Sequence, residues 1–246
     1  MLIYPSFIYL QNHKTGCTFV ETCLREFCRE PLLGYEKHAA LVSRPDRFCF
    51  TNVREPMAQY RSLYAYGLLG KGEVFSRLTR SGRGDLYAGG ASGFEKWLDF
   101  VIRPKNAGFL ANKYTPEIAR AVGFMSYRFL RLACPDFEGA SPTLTGPSDV
   151  TEYFTRENVL GAVLRQESLA EGLAALVSGR LSNCFGSIPE VLEWLGQPRR
   201  INASGGEMEG GVVSPELIGR ILRREAFLFN HFYQDTAADF ARGIDG

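Results

Sequence analysis

The sequence predicts an α/β fold in which a central parallel sheet is flanked by helices. Three observations carry that prediction. The chain opens with an apolar strand-like run, a short polar loop and an amphipathic helix. A second strand-like run, Arg47 to Val53, leads through Arg54-Glu55-Pro56 into another helical stretch. The 246 residues, 45% hydrophobic and 22% charged, suit one large soluble domain spanning 1–246 better than two small ones. A chain of this length buries roughly 70–75% of the surface its unfolded form exposes, so its core needs no disulfide or metal.

Each element follows from local pattern. Ile3 to Leu10 is rich in aromatic and β-branched residues and reads as a strand. After the loop Gln11 to Cys17, apolar residues at Val20, Cys23, Leu24, Phe27 and Cys28 mark one face of a helix. Proline at a first helical position is pre-organised for a helix start, so Pro56 is expected to begin a helix running to about Leu68. Gly70 to Gly93 is glycine-rich and basic and predicts a long surface loop or broken helices. Helices are expected over Phe94 to Ile102 and Thr115 to Leu132, with a turn-rich connector from Pro135 to Pro147. Val159 to Leu164 reads as a strand and Leu169 onward as a helix. Pro198 to Gly211 reads as a second loop. The last helix is expected from the Ser214 cap and Pro215 to about Phe240. Substrate-side elements would be inserted at about 68–146.

Composition narrows the function. A net charge of +1 gives no global field for a nucleic acid, so any anion site must be local. Cys17, Cys23, Cys28, Cys49, Cys134 and Cys184 form no C-x-x-C pair, and the histidines are scattered, so no metal site is expected. The N-terminus lacks a basic leader and no membrane-spanning apolar run follows, so a reduced, cytoplasmic protein with no membrane partner is expected.

The chemistry concentrates at His13-Lys14-Thr15-Gly16-Cys17-Thr18, between the first strand and its helix. A helix N-terminus offers unpaired N–H groups and the positive end of a dipole, which together hold an anion. Gly16 lets the backbone approach the ligand, Lys14 adds a charge, and Thr15 and Thr18 add hydroxyl donors. The lysine precedes the glycine, unlike the nucleotide-binding loop Gly-x-x-x-x-Gly-Lys-Ser/Thr. Arg54 ends the second strand with bidentate geometry for a phosphate, and Ser62 lies eight residues on.

Together these residues resemble the sulfotransferases that use 3′-phosphoadenosine-5′-phosphosulfate (PAPS), above all the carbohydrate-type branch. The family's phosphosulfate loop, H-x-P-K-T-G-G-T, is matched by Gln11-Asn12-His13-Lys14-Thr15-Gly16-Cys17-Thr18. Its 3′-phosphate motif, R-[ND]-P with a serine eight residues after the arginine and then an aromatic, is matched by Arg54-Glu55-Pro56, Ser62 and Tyr64. Arg165-Gln166-Glu167-Ser168-Leu169 and Arg200-Ile201-Asn202-Ala203-Ser204 are similar to later family segments. Cys17 stands where the family has a second glycine, His13 where it has proline, and Glu55 where it has Asp or Asn.

The resemblance implies a P-loop-like three-layer fold and transfer of a sulfuryl group from PAPS to a hydroxyl of a carbohydrate or other small metabolite, leaving adenosine 3′,5′-bisphosphate. Lys14 would stabilise the leaving phosphate; Thr15, Gly16, Cys17 and Thr18 would hold the 5′-phosphate; Arg54 and Ser62 would hold the 3′-phosphate. His38, in Lys37-His38-Ala39-Ala40, would be the general base, with His13 as the other candidate. The basic stretch Lys71 to Arg83 lies where a lid over the acceptor is expected. Glu225, on the apolar face of the last helix, is expected to be a buried ion-pair partner, as of an arginine, and Trp97 to be core with room for a stacking role. A P-loop-type kinase would need a lysine after its glycines and a magnesium ligand. A non-catalytic nucleotide- or glycan-binding member of the family would bind without turnover.

Overall fold

A computed structural model describes residues 1–197 and 213–242. The strands are β1 (Leu2–Ile3), β2 (Phe7–Leu10), β3 (Gly34–Tyr35), β4 (Phe48–Val53) and β5 (Leu160–Arg165). The helices of the first half are α1 (Cys17–Phe27), α2 (Pro56–Leu68), α3 (Glu73–Arg80), α4 (Phe94–Val101), α5 (Pro116–Ala121) and α6 (Phe124–Ala133). Those of the second are α7 (Phe137–Ala140), α8 (Pro147–Glu157), α9 (Leu169–Ser178), α10 (Ile188–Gly196), α11 (Pro215–Arg224), α12 (Ala226–Phe232) and α13 (Gln234–Arg242). No described helix is long and apolar enough to cross a membrane. The described residues divide into two compact units.

The first unit, residues 1–54, 131–136 and 157–197, holds the sheet, in the order β3-β1-β2-β4-β5. β2, β4 and β5 are parallel, while β1 runs antiparallel to both β2 and β3, so the sheet is mixed rather than wholly parallel. The single strand expected over Ile3 to Leu10 is a hairpin instead. Pro5 cannot donate to a ladder, and the Tyr4 N–H donates back to the Phe7 carbonyl at 2.9 Å, which folds β1 onto β2.

Alternation along β2 sends side chains to two apolar layers. Phe7 and Tyr9 join Phe50 and Leu164 against Val20, Cys23 and Leu24 of α1, Leu173 of α9 and Trp194 of α10. Ile8 and Leu10 join Cys49, Leu41 and Leu132 on the other face. A sheet covered on both faces needs near-continuous apolar strands, which is what β2 and β4 supply.

The second unit, residues 55–130, 137–156 and 213–242, is helical throughout its described elements. The expected insertion at 68–146 falls within it apart from residues 131–136. Its core is aromatic: Trp97 is fully buried, with Tyr60, Tyr64, Tyr87 and Phe94 around it. Two expected helices are broken. Thr115 to Leu132 splits into α5 and α6 at Val122-Gly123, and the last helix splits at Glu225 and again at Tyr233. The first two breaks share a cause. The Glu225 carboxylate accepts from the Met125 N–H (3.1 Å), the Ser126 N–H (2.9 Å), the Ser126 hydroxyl (2.6 Å) and the Tyr60 hydroxyl (2.6 Å). It therefore caps α6 from another helix rather than pairing with an arginine. Gly123 makes this possible, since a Cβ there would lie 2.3 Å from that carboxylate.

Candidate functional site

The site is built from the end of β2 outward. β2 and β4 are adjacent and parallel, with Leu10 opposite Thr51, so the loop after β2 and Arg54 after β4 leave the sheet at the same edge. The carboxyl ends of parallel strands are where open α/β sheets take their ligands. The loop turns through two left-handed residues, Lys14 (φ 61°) and Gly16 (φ 83°). Only glycine adopts that region at little cost, and a Cβ at Gly16 would also lie 2.8 Å from Leu169.

Gly16 is the N-cap of α1, with no side chain capping the helix and no acidic residue in its first turn. The N–H groups at the start of α1 thus stand at the positive end of the dipole, just after Lys14, and of them the Phe19 N–H turns back to the Gly16 carbonyl. Burial lowers the Lys14 pKa; nearby Cys17 opposes the shift, and Arg54 and Lys37 add to it, which places both cations within electrostatic reach of Lys14. Cys17 is buried at the start of α1, and burial pushes its thiol pKa up against the opposing pull of Lys37, so it remains a protonated thiol at neutral pH.

His38 is drawn onto this loop. Its Nδ1 lies 2.9 Å from the Gln11 carbonyl, and its ring stacks on that of His13 at 3.7 Å between centroids. A carbonyl can only accept, so Nδ1 carries the hydrogen that points to it. The two histidines that the sequence offered as alternatives are therefore neighbours in one stack.

A buried polar network that sequence reading missed supports the loop. The Tyr9 hydroxyl donates to Asn52 Oδ1 at 2.6 Å, and Asn52 Nδ2 donates to the Thr15 carbonyl. Asn12 Nδ2 donates to the Asn52 carbonyl at 3.2 Å, and Asn12 Oδ1 accepts from the His13 N–H at 2.8 Å. A usable signal existed: Asn52 interrupts the apolar run Phe48–Val53, and a buried amide must find partners.

Other expected residues fall out differently. The Thr15 hydroxyl turns inward to the Asn12 carbonyl (3.0 Å), which leaves only its backbone for a ligand. Gln166 and Leu169 pack against Gly16, so the segment after β5 does reach the loop. Ser62 lies half-buried on α2, in the second unit. Tyr64 is core, its hydroxyl donating to the Gly90 carbonyl. Glu55 caps α2, accepting from the Met57 (2.7 Å) and Ala58 (2.6 Å) N–H groups. Trp97 is too deeply buried to stack on a ligand. The basic stretch 71–83 takes the broken-helix alternative, with α3 over Glu73–Arg80: Arg77 donates to the Phe109 and Gly108 carbonyls and to Asn112, and Arg83 lies over Phe100 and Phe109. The expected loop at 198–211, with Asn202 and Ser204, lies outside the described residues.

Compared with known proteins, the chain matches no protein-family model, no curated protein and no solved structure.

Proposed function

We propose that the chain is a PAPS-dependent sulfotransferase with a P-loop-like fold, acting on a hydroxyl of a small-molecule or glycan acceptor. The observation that carries this is the uncapped start of α1, held open by Gly16, with Lys14, Lys37 and Arg54 around it. Such a site suits an anionic, phosphate-bearing ligand.

The roles follow from chemistry. The first-turn N–H groups from Gly16 to Thr18 bind the 5′-phosphate, and Arg54 binds the 3′-phosphate. Lys14 neutralises charge on the oxygen that leaves sulfur, the point at which electrostatic stabilisation matters most. His38 accepts the acceptor's proton as the acceptor oxygen attacks sulfur in line and the bond from sulfur to the 5′-phosphate oxygen breaks. No covalent intermediate with the protein is required.

A melting experiment without metal tests the proposal. Adenosine 3′,5′-bisphosphate is expected to raise the thermal midpoint, whereas AMP and ATP with magnesium leave it nearly unchanged. Equal stabilisation by ATP with magnesium would favour a kinase instead.

A further inference from the structure

Five backbone carbonyls on either side of Lys14 are engaged by donors. Leu10 accepts from the Thr51 hydroxyl (2.6 Å), Gln11 from His38 (2.9 Å), Asn12 from the Thr15 hydroxyl (3.0 Å), Thr15 from Asn52, and Gly16 from the Phe19 N–H (3.0 Å). An anion is repelled by carbonyl oxygens and attracted by N–H groups, so tying carbonyls inward decides which face of the loop a ligand meets.

Among these donors Asn52 is set apart. It is fully buried, and it reaches Thr15 from a different strand, 37 residues away along the chain. Its orientation is determined: the Thr15 carbonyl can only accept, so the NH₂ must face it, and Oδ1 must then face the Tyr9 hydroxyl, which donates. Burial pushes the Tyr9 phenol well above its ordinary pKa, so that donor keeps its proton. Arg54 follows two residues later, just past the end of β4. One strand end thus carries both the tether of the loop and a cation of the site.

We propose that Asn52 is a positioning residue of the anion site: its side-chain amide holds the Thr15 carbonyl inward, and so keeps the first-turn N–H groups of α1 turned to the ligand. This rests on the anion-binding half of the proposed function. Asn52 touches no ligand; it acts through the Thr15–Gly16 peptide.

The test compares wild type with Asn52→Leu, which keeps the volume and removes the donor, and with Tyr9→Phe, which removes only the group that orients the amide. Each is titrated with adenosine 3′,5′-bisphosphate and with inorganic pyrophosphate, well below its melting temperature, and the Cys17 and Thr18 amide signals are followed by NMR. Loss of one such hydrogen bond is expected to weaken binding roughly tenfold or more in Asn52→Leu, with a smaller loss of the same sign in Tyr9→Phe. The amide signals should shift in the free variants as well. Wild-type affinity and unshifted amides in Asn52→Leu would overturn the role of Asn52; if that variant does not fold, the same result in Tyr9→Phe would do so. A folded wild type that responds to neither ligand would instead overturn the proposed function, and the role of Asn52 with it.

Discussion

Lys14 sets the terms at the scale of single residues. Burial lowers its pKa, and Arg54 and Lys37 add to that against the opposing pull of Cys17. A lysine whose folded pKa lies below its unfolded value destabilises the fold while protonated in both states. That penalty is present in full below the folded pKa and disappears as pH rises towards the unfolded one. Lys14→Met is therefore expected to raise the thermal midpoint of the free protein at neutral pH, with a gain that shrinks towards alkaline pH. On the proposed function, turnover should fall roughly 10²–10³-fold in the same variant, since Lys14 is the group proposed to meet the leaving oxygen. Calorimetric melting across pH and a transfer assay check both parts; a lowered midpoint with intact turnover would contradict them. Gly16→Ala places a Cβ at a left-handed position and 2.8 Å from Leu169. The backbone alone costs about 1–2 kcal/mol there, and the clash displaces the loop, so nucleotide affinity is expected to fall along with stability. Much of this site was legible: Lys14, Gly16 and Arg54 stand at the ends of adjacent strands because their patterns are local. Asn52 and the inward turn of Thr15 were not, because a pairing 37 residues long leaves no periodic trace.

Elements whose ends are set by carboxylates show the same division. Glu55 caps its own helix, and local sequence is enough to place it; Glu55→Ala should cost about 1–2 kcal/mol of stability, read from chemical denaturation. Glu225 caps α6 across 99 residues, and it is fully buried. Its removal leaves a phenol, a hydroxyl and two N–H groups buried without an acceptor. Glu225→Ala is expected to cost about 3–5 kcal/mol, and Glu225→Gln less, by the same measurement. Helix periodicity read straight through 115–132 and 214–240 because apolar residues keep their spacing across both breaks. What interrupts them is a tertiary hydrogen-bond set, invisible to a window of one helix. The helices α8 and α10 drew no reading from the sequence, although each starts at or beside a proline, Pro147 and Pro189.

Across the whole chain, the α/β class, the parallel pairing of β2 with β4 and the start of α1 were all readable, since each depends on runs of four to a dozen residues. The antiparallel β1 and β3, and the grouping of 55–130 with 213–242, depend on contacts between distant segments. Function rests on one claim above the others: that the strand end carrying Arg54 and the uncapped start of α1 serve a bisphosphorylated adenosine. Calorimetric titration with adenosine 3′,5′-bisphosphate, metal-free, on wild type and Arg54→Ala, tests it directly. The account predicts micromolar binding to wild type, at least about tenfold weaker binding in the variant, and still weaker binding of AMP to wild type. A folded wild type that binds none of them would contradict it.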